Sequence, residues 1–151
     1  MAVDIREVRY DQPEARKVVA LALRDLAQRY GGSGDDTPVT AVEFAPPLGR
    51  FFVALDGGDV VGCAGWRARG ADAELKRMFT TPAARGRGIA RRLLATVEES
   101  ARTDGRKRVI LETGDRQPEA IALYKSAGYR RIEDFGFYQG HKGVVSFARD
   151  L

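Results

Sequence analysis

A short glycine-rich segment near the middle of the chain, RGRGIA at positions 85–90, constrains the fold more than any other part of the sequence. It lies between a stretch typical of a β-strand, 73–80, and an amphipathic stretch typical of a helix. Glycines let backbone N–H groups converge, and the N-terminus of the following helix adds a positive dipole. The segment therefore predicts a strand–loop–helix unit whose turn can hold a pyrophosphate; a purely structural turn is the alternative.

The elements around this unit predict one α/β domain over residues 1–151 with a mixed sheet. Strands are expected at 3–10, 50–55, 60–67, 73–80, 109–111, 129–135 and 144–149, and helices at 12–29, 89–104 and 117–127. The long connection 31–49 is expected to carry a short helical turn or to line a site.

Composition narrows the class of protein. With 44% hydrophobic residues, 151 residues can bury a core without disulfides or metal. The N-terminus is charged at once, and no stretch approaches the roughly 18 apolar residues of a membrane span. We therefore expect a cytoplasmic protein that does not enter a membrane. The single cysteine, Cys63, lies in an apolar run and is expected to be buried and unreactive.

The charge balance favours an anionic partner. The net charge is +4, from 25 basic and 21 acidic residues. No basic run is interleaved with aromatic residues, so a polyphosphate cofactor fits better than nucleic acid. One histidine and one cysteine are too few for a metal centre of the usual kind, and no metal is expected.

Two motifs together resemble the GNAT superfamily of N-acetyltransferases. The family's phosphate-binding signature is Gln or Arg, two residues, Gly, one residue, then Gly or Ala, and it is matched by Arg85, Gly88 and Ala90. The family also carries a helix that reads roughly Asn-x-x-Ala-x-x-Leu-Tyr, then Gly and an aromatic residue. The matching positions here are Gln117, Ala120, Leu123, Tyr124, Gly128 and Tyr129. Gln117 departs from the usual Asn by one carbon.

The resemblance runs from about residue 3 to the end and implies a fold and a cofactor. The implied fold is a mixed, mostly antiparallel central sheet with helices on both faces and a splayed central pair, 73–80 and 108–114. The implied cofactor is acetyl-CoA, used as co-substrate, with its pantetheine arm lying between the two splayed strands. The irregular alternation of residues 74–79 suggests a bulge in the first of these strands. The residues implied to bind acetyl-CoA are Met78, Phe79, Thr80, Arg85, Gly86, Arg87, Gly88, Ile89, Ala90, Gln117 and Tyr124. Arg92 is near enough in sequence to join them.

The resemblance also implies two catalytic roles. Tyr124 resembles the family's general acid, which protonates the departing thiolate. Glu74 lies eleven residues before Arg85, the offset of the general base in histone-type members, and could act through a water molecule. Glu112, on the other splayed strand, is the competing base. The alternatives are that Tyr124 is only a packed core residue and that Glu74 is only a solvated strand residue.

The sequence leaves the acceptor open. The segments 31–49 and 135–143 are expected to shape its site, with acids that could hold an amine and aromatic residues that could form an apolar wall: Asp35, Asp36, Glu43, Phe44, Phe135, Phe137 and Tyr138. His141 either borders this site or is a surface residue. Small-molecule amines, protein lysines and protein N-termini all remain candidates, as does a homodimer. The alternative function is a non-catalytic acyl-CoA-binding sensor or interaction module.

Overall fold

Seven strands form one mixed sheet in the computed structural model, which describes residues 2–151. In chain order the elements are β1 (Val3–Glu7), α1 (Pro13–Tyr30), β2 (Gly49–Asp56), β3 (Asp59–Arg69), β4 (Asp72–Thr80), α2 (Ile89–Thr103), β5 (Arg108–Gly114), α3 (Pro118–Ser126), β6 (Arg130–Arg131) and β7 (Val144–Asp150). The sheet order is β1-β2-β3-β4-β5-β7-β6. Every neighbouring pair is antiparallel except β4 and β5, which are parallel. This confirms the predicted mixed, mostly antiparallel sheet.

The parallel pair separates soon after it begins. Only Ala73 with Val109 and Glu74 with Ile110 are in register between β4 and β5, and the strands diverge beyond them. A bulge in β4 lies in the diverging half, because Arg77 and Met78 together oppose one residue of β3. Arg77 has φ of 61°, a conformation that costs a non-glycine residue of order 1–3 kcal/mol. The splay lies where the resemblance implies it, and the bulge lies where the irregular alternation of the strand predicts it.

Helices cover both faces of the sheet. On one face, α2 repeats buried apolar side chains at intervals of three and four, so one stripe packs against the strands. This stripe consists of Ile89, Leu93, Leu94, Val97 and Ala101. On the other face, α1 buries Val18 and Ala22 against Phe51. Cys63 is fully buried beside them, and this burial raises the pKa of its thiol.

Two predicted strands are shorter than expected. The first ends at Glu7, and the strand predicted over 129–135 is reduced to β6. After Ile132, whose N–H still bonds the Ser146 carbonyl, the chain leaves the sheet edge and is held by side chains instead. One such contact joins the Ser146 hydroxyl to Asp134 at 2.8 Å. The segment that leaves the sheet, 132–143, is called the β6–β7 loop below.

The long connection 31–48 between α1 and β2 carries one 3₁₀ turn, Ala41–Phe44, as anticipated. A capping box between Thr40 and Glu43 begins the turn, because each side chain bonds the other's backbone N–H. None of the helices within residues 2–151 combines the length and the apolar character that a membrane crossing needs.

Candidate active site

A cavity of about 290 Å³ opens where β4 and β5 diverge. Its wall includes the β4 bulge and the far half of β5. The other contributions come from α1, Tyr124 of α3, the α1–β2 connection at 34–35 and the β6–β7 loop. The cavity is therefore built from segments that are distant in sequence and meet only because the sheet splays.

The glycine segment lies at the turn into α2 and has the shape of an anion cradle. Gly86 and Gly88 have φ of 80° and 78°, a left-handed conformation that glycine adopts without strain. No heavy atom comes within 4 Å of a Cβ built at either position, so open space lies above both. The helix begins at Ile89 with no acidic residue in its first turn, so its unpaired N–H groups present positive charge to this space. A pyrophosphate fits this arrangement.

Two arginines flank the cradle. The Arg85 Nε donates to the carbonyl of Thr80 at 3.1 Å, and its guanidinium lies 5.9 Å from the centre of the Phe79 ring. Arg87 forms an ion pair of 2.9 Å with Asp56. Both guanidinium groups therefore already have protein partners beside the segment predicted to bind phosphate.

Tyr124 lies in the wall of the cavity and is 4% exposed. Its ring packs near Tyr129 and Phe147, with ring centres 5.7 and 6.2 Å away. Burial raises the pKa of its hydroxyl above the ordinary value. The group is therefore protonated at neutral pH, as a proton donor must be.

Glu112 lines the same cavity from β5. Its Oε2 accepts the backbone N–H of Tyr138 at 3.1 Å, whereas its buried Oε1 has no hydrogen-bond partner within residues 2–151. The chain of Gly136 passes close over this carboxylate, since a Cβ there would lie 2.4 Å from Oε1. Burial raises the pKa of Glu112. A carboxylate with a raised pKa accepts a proton more readily, as a general base at neutral pH must.

Glu74 lies elsewhere. It is 1% exposed and lines a second, more open cavity together with Arg67, Arg69 and Phe137. Its Oε1 lies 3.1 Å from the Arg67 Nε and 3.8 Å from Arg69. Tyr124 and Glu112 thus line one cavity, whereas Glu74 is held in an ion pair beside a different cavity. The pairing with Arg67 has a signal in the sequence, because the Gly70 turn sets the two residues opposite each other on β3 and β4.

A buried charge cluster, which sequence reasoning missed, forms another part of the wall. Asp35 forms ion pairs with Lys76, at 3.5 Å, and with Arg77 of the bulge. Burial alone would raise the pKa of Asp35, but the two cations and the hydroxyls of Thr37 and Tyr138 lower it well below its usual range. Burial lowers the pKa of Lys76, although Asp35 opposes that effect.

The remaining predicted residues are distributed between the cavity and the core. His141 lines the cavity, and its ring lies 5.4 Å from that of Tyr138. Gln117 also lines it and accepts a hydrogen bond of 3.2 Å from the Tyr30 hydroxyl. Phe44 was a candidate for an apolar wall of the acceptor site, but it is 1% exposed and packs in the core against Phe51. No cluster of potential metal ligands occurs among residues 2–151.

Comparisons with known proteins agree with this fold. Residues 20–129 match the profile of the Acetyltransferase (GNAT) family. The chain is 45% identical to the IAA acetyltransferase of Azospirillum brasilense over 96 residues, which are 62% of this chain and 63% of that protein. It is 32% identical over 127 residues to the uncharacterized N-acetyltransferase YjgM of Escherichia coli, covering 76% of each. A Klebsiella pneumoniae structure described as an acyl-CoA N-acyltransferase superposes with a TM-score of 0.82 at 27% identity, over 99% of this chain and 98% of the other.

Proposed function

Because this chain belongs to the GNAT family of acetyl-CoA-dependent N-acetyltransferases, we propose that it transfers the acetyl group of acetyl-CoA to a primary amine by direct attack. The observation that carries the proposal is the shared cavity of Tyr124 and Glu112. One is a protonated phenol and the other a carboxylate with an unpaired oxygen, and both lie where the strands diverge.

The residues present fit the co-substrate. Acetyl-CoA supplies a thioester, an extended pantetheine arm and a pyrophosphate. The N–H groups of residues 86–90 would hold the pyrophosphate, flanked by Arg85 and Arg87. The arm would lie along 78–80 of the bulged strand and reach Gln117 and Tyr124, which line the cavity beside Met78 and Phe79.

The chemistry requires a base and an acid. A primary amine has a pKa of roughly 10.4 and must lose a proton before its nitrogen can attack the acetyl carbon. The base takes this first proton from the ammonium group. As the new C–N bond then forms and the C–S bond breaks, Tyr124 gives its proton to sulfur, and the second proton that leaves nitrogen restores the phenol. We propose Glu112 as the base, because its Oε1 is unpaired and it shares the cavity with Tyr124. Glu74 remains the alternative, acting through a water molecule.

Two matched variants distinguish these bases. Wild-type protein is incubated with acetyl-CoA and lysine, spermidine or a peptide with a free N-terminus, and the released thiol is measured. Glu112→Gln should lower turnover by about 10²- to 10⁴-fold at neutral pH and least at high pH, where the amine deprotonates unaided. Glu74→Gln should lack this pH dependence.

The opposite pattern would make Glu74 the base. If no amine releases thiol while acetyl-CoA still raises the melting temperature, the chain is an acyl-CoA-binding module and the enzymatic proposal fails.

A further inference from the structure

Tyr138 connects three parts of the site. Its backbone N–H donates to the Glu112 carboxylate on β5 at 3.1 Å. Its hydroxyl donates to Asp35 at 2.6 Å and accepts the backbone N–H of Asp36 at 2.8 Å, so the α1–β2 connection holds the end of the side chain. One residue of the β6–β7 loop is thus fixed at both ends.

The anchor for the hydroxyl is itself immobilised. Asp35 is paired with Lys76 and Arg77, whose side chains are almost fully buried in the β4 bulge. Asp35 also accepts the Thr37 hydroxyl at 2.6 Å. Charge-assisted hydrogen bonds of this kind are about twice as strong as neutral ones, so the Tyr138 hydroxyl has a firm partner.

We propose that Tyr138 is a positioning residue for Glu112. The Tyr138 hydroxyl holds the β6–β7 loop in place, so that the Tyr138 backbone N–H orients the Glu112 carboxylate toward the cavity. The inference rests on the proposed role of Glu112 as base. Tyr138 would touch neither the sulfur nor the acetyl carbon; it acts through the carboxylate that it holds.

The surroundings of Glu112 show in which direction its pKa should shift when the contact with Tyr138 is loosened. Burial raises the pKa of Glu112, while the N–H of Tyr138, Lys76 on β4 and Arg69 on β3 lower it, and Glu74 raises it. From β7, the facing residue is Ser146, which bonds Asp134. A looser Tyr138 N–H stabilises the ionised carboxylate less, so the pKa of Glu112 rises and the base is lost at a higher pH than in the wild type.

The test is Tyr138→Phe, which keeps the ring and removes only the hydroxyl. The pH dependence of kcat/KM is measured with whichever of lysine, spermidine or the peptide the wild type acetylates fastest. The acidic limb of this profile should move to higher pH by about 0.5 to 1 unit. On that limb kcat/KM should therefore fall about three- to tenfold, whereas on the plateau at higher pH it should fall less than twofold. Tyr10→Phe is the matched control, because the Tyr10 ring stacks on Phe44 outside this cavity.

The outcomes separate this inference from the function that it builds on. Glu112→Gln must first abolish the limb that is being followed; if it does not, the assignment of the base is wrong. If that limb is present and a folded Tyr138→Phe variant leaves it in place, or lowers the rate equally at every pH, the positioning role is overturned. The KM for acetyl-CoA should change little, since the variant leaves the glycine cradle untouched.

Discussion

Gly136 offers a way to displace the proposed base without altering its chemistry. A Cβ at this position would lie 2.4 Å from Oε1 and 2.5 Å from Cδ of Glu112, whereas ordinary van der Waals contact begins near 3.4 Å. Gly136 is not among the glycines with positive φ, so alanine can adopt its backbone conformation. The substitution Gly136→Ala therefore requires the carboxylate or the loop to shift by about 1 Å.

The carboxylate is the part expected to yield, because it is the end of a flexible side chain, whereas the loop is held independently by the bonds of the Tyr138 hydroxyl to Asp35 and Asp36. A misplacement of 1 Å in a catalytic group can cost about 10²-fold in rate. Crowding of this kind costs roughly 1–3 kcal/mol, and the stiffer unfolded chain returns about 0.4–1 kcal/mol. The net cost is therefore at most about 2.6 kcal/mol, and the melting temperature should fall by no more than about 10 °C.

The assay is steady-state turnover of acetyl-CoA with the best amine, together with a thermal melt. Gly136→Ala should lower kcat by about 10²-fold and leave the affinity for acetyl-CoA nearly unchanged. Gln139→Ala, in the same loop and exposed, controls for loop substitution as such. A folded Gly136→Ala variant with a normal rate would refute the reasoning, because it would show that catalysis does not depend on the position of Glu112.

Two further predictions concern the acid and the cofactor. Tyr124→Phe keeps the buried ring and should lower kcat by about 10²- to 10⁴-fold with little change in acetyl-CoA binding; a normal rate removes Tyr124 from the mechanism. Gly88→Glu should abolish the rise in melting temperature that acetyl-CoA causes, because the carboxylate enters the anion cradle. Gly105→Glu is its control, since Gly105 also has positive φ and open space but lies beyond the other end of α2; equal loss in both variants would argue against the cradle.

The parts of this site that the sequence predicts are those coded by neighbouring residues. The segment 85–90 carries its turn, its glycines and its helix start within six positions, and α2 continues with a regular apolar stripe. Tyr124 is likewise predictable, because its motif lies within one helix and the turn that follows. Such signals need no knowledge of which strands pair.

The charge cluster around Asp35 and the hydrogen bond from Tyr138 to Glu112 have no comparable signal in the sequence. Tyr138 lies 26 residues from Glu112 and 103 from Asp35, and Asp35 lies 41 residues from Lys76. Their meeting depends on where two irregular connections fold back over the sheet, and no periodicity encodes that path. The strand predicted at 129–135 is shortened to Arg130–Arg131 for the same reason, since the chain beyond it is held by contacts of Asp134 and Glu112 that no periodicity encodes.

The bulge in β4 gives these separate contacts a common origin. In a regular strand, consecutive side chains point to opposite faces, yet Lys76 and Arg77 both pair with Asp35. The positive φ of Arg77 makes that possible, and the buried ion pairs offset its strain. The backbone pairing of β4 with β5 stops at Glu74, so across the cavity the two strands are connected through Asp35 and Tyr138 to Glu112. The strand proposed to bind the cofactor and the strand that carries the proposed base are therefore connected by contacts outside the sheet, and on the proposed mechanism the geometry of the base depends on a single phenol hydroxyl.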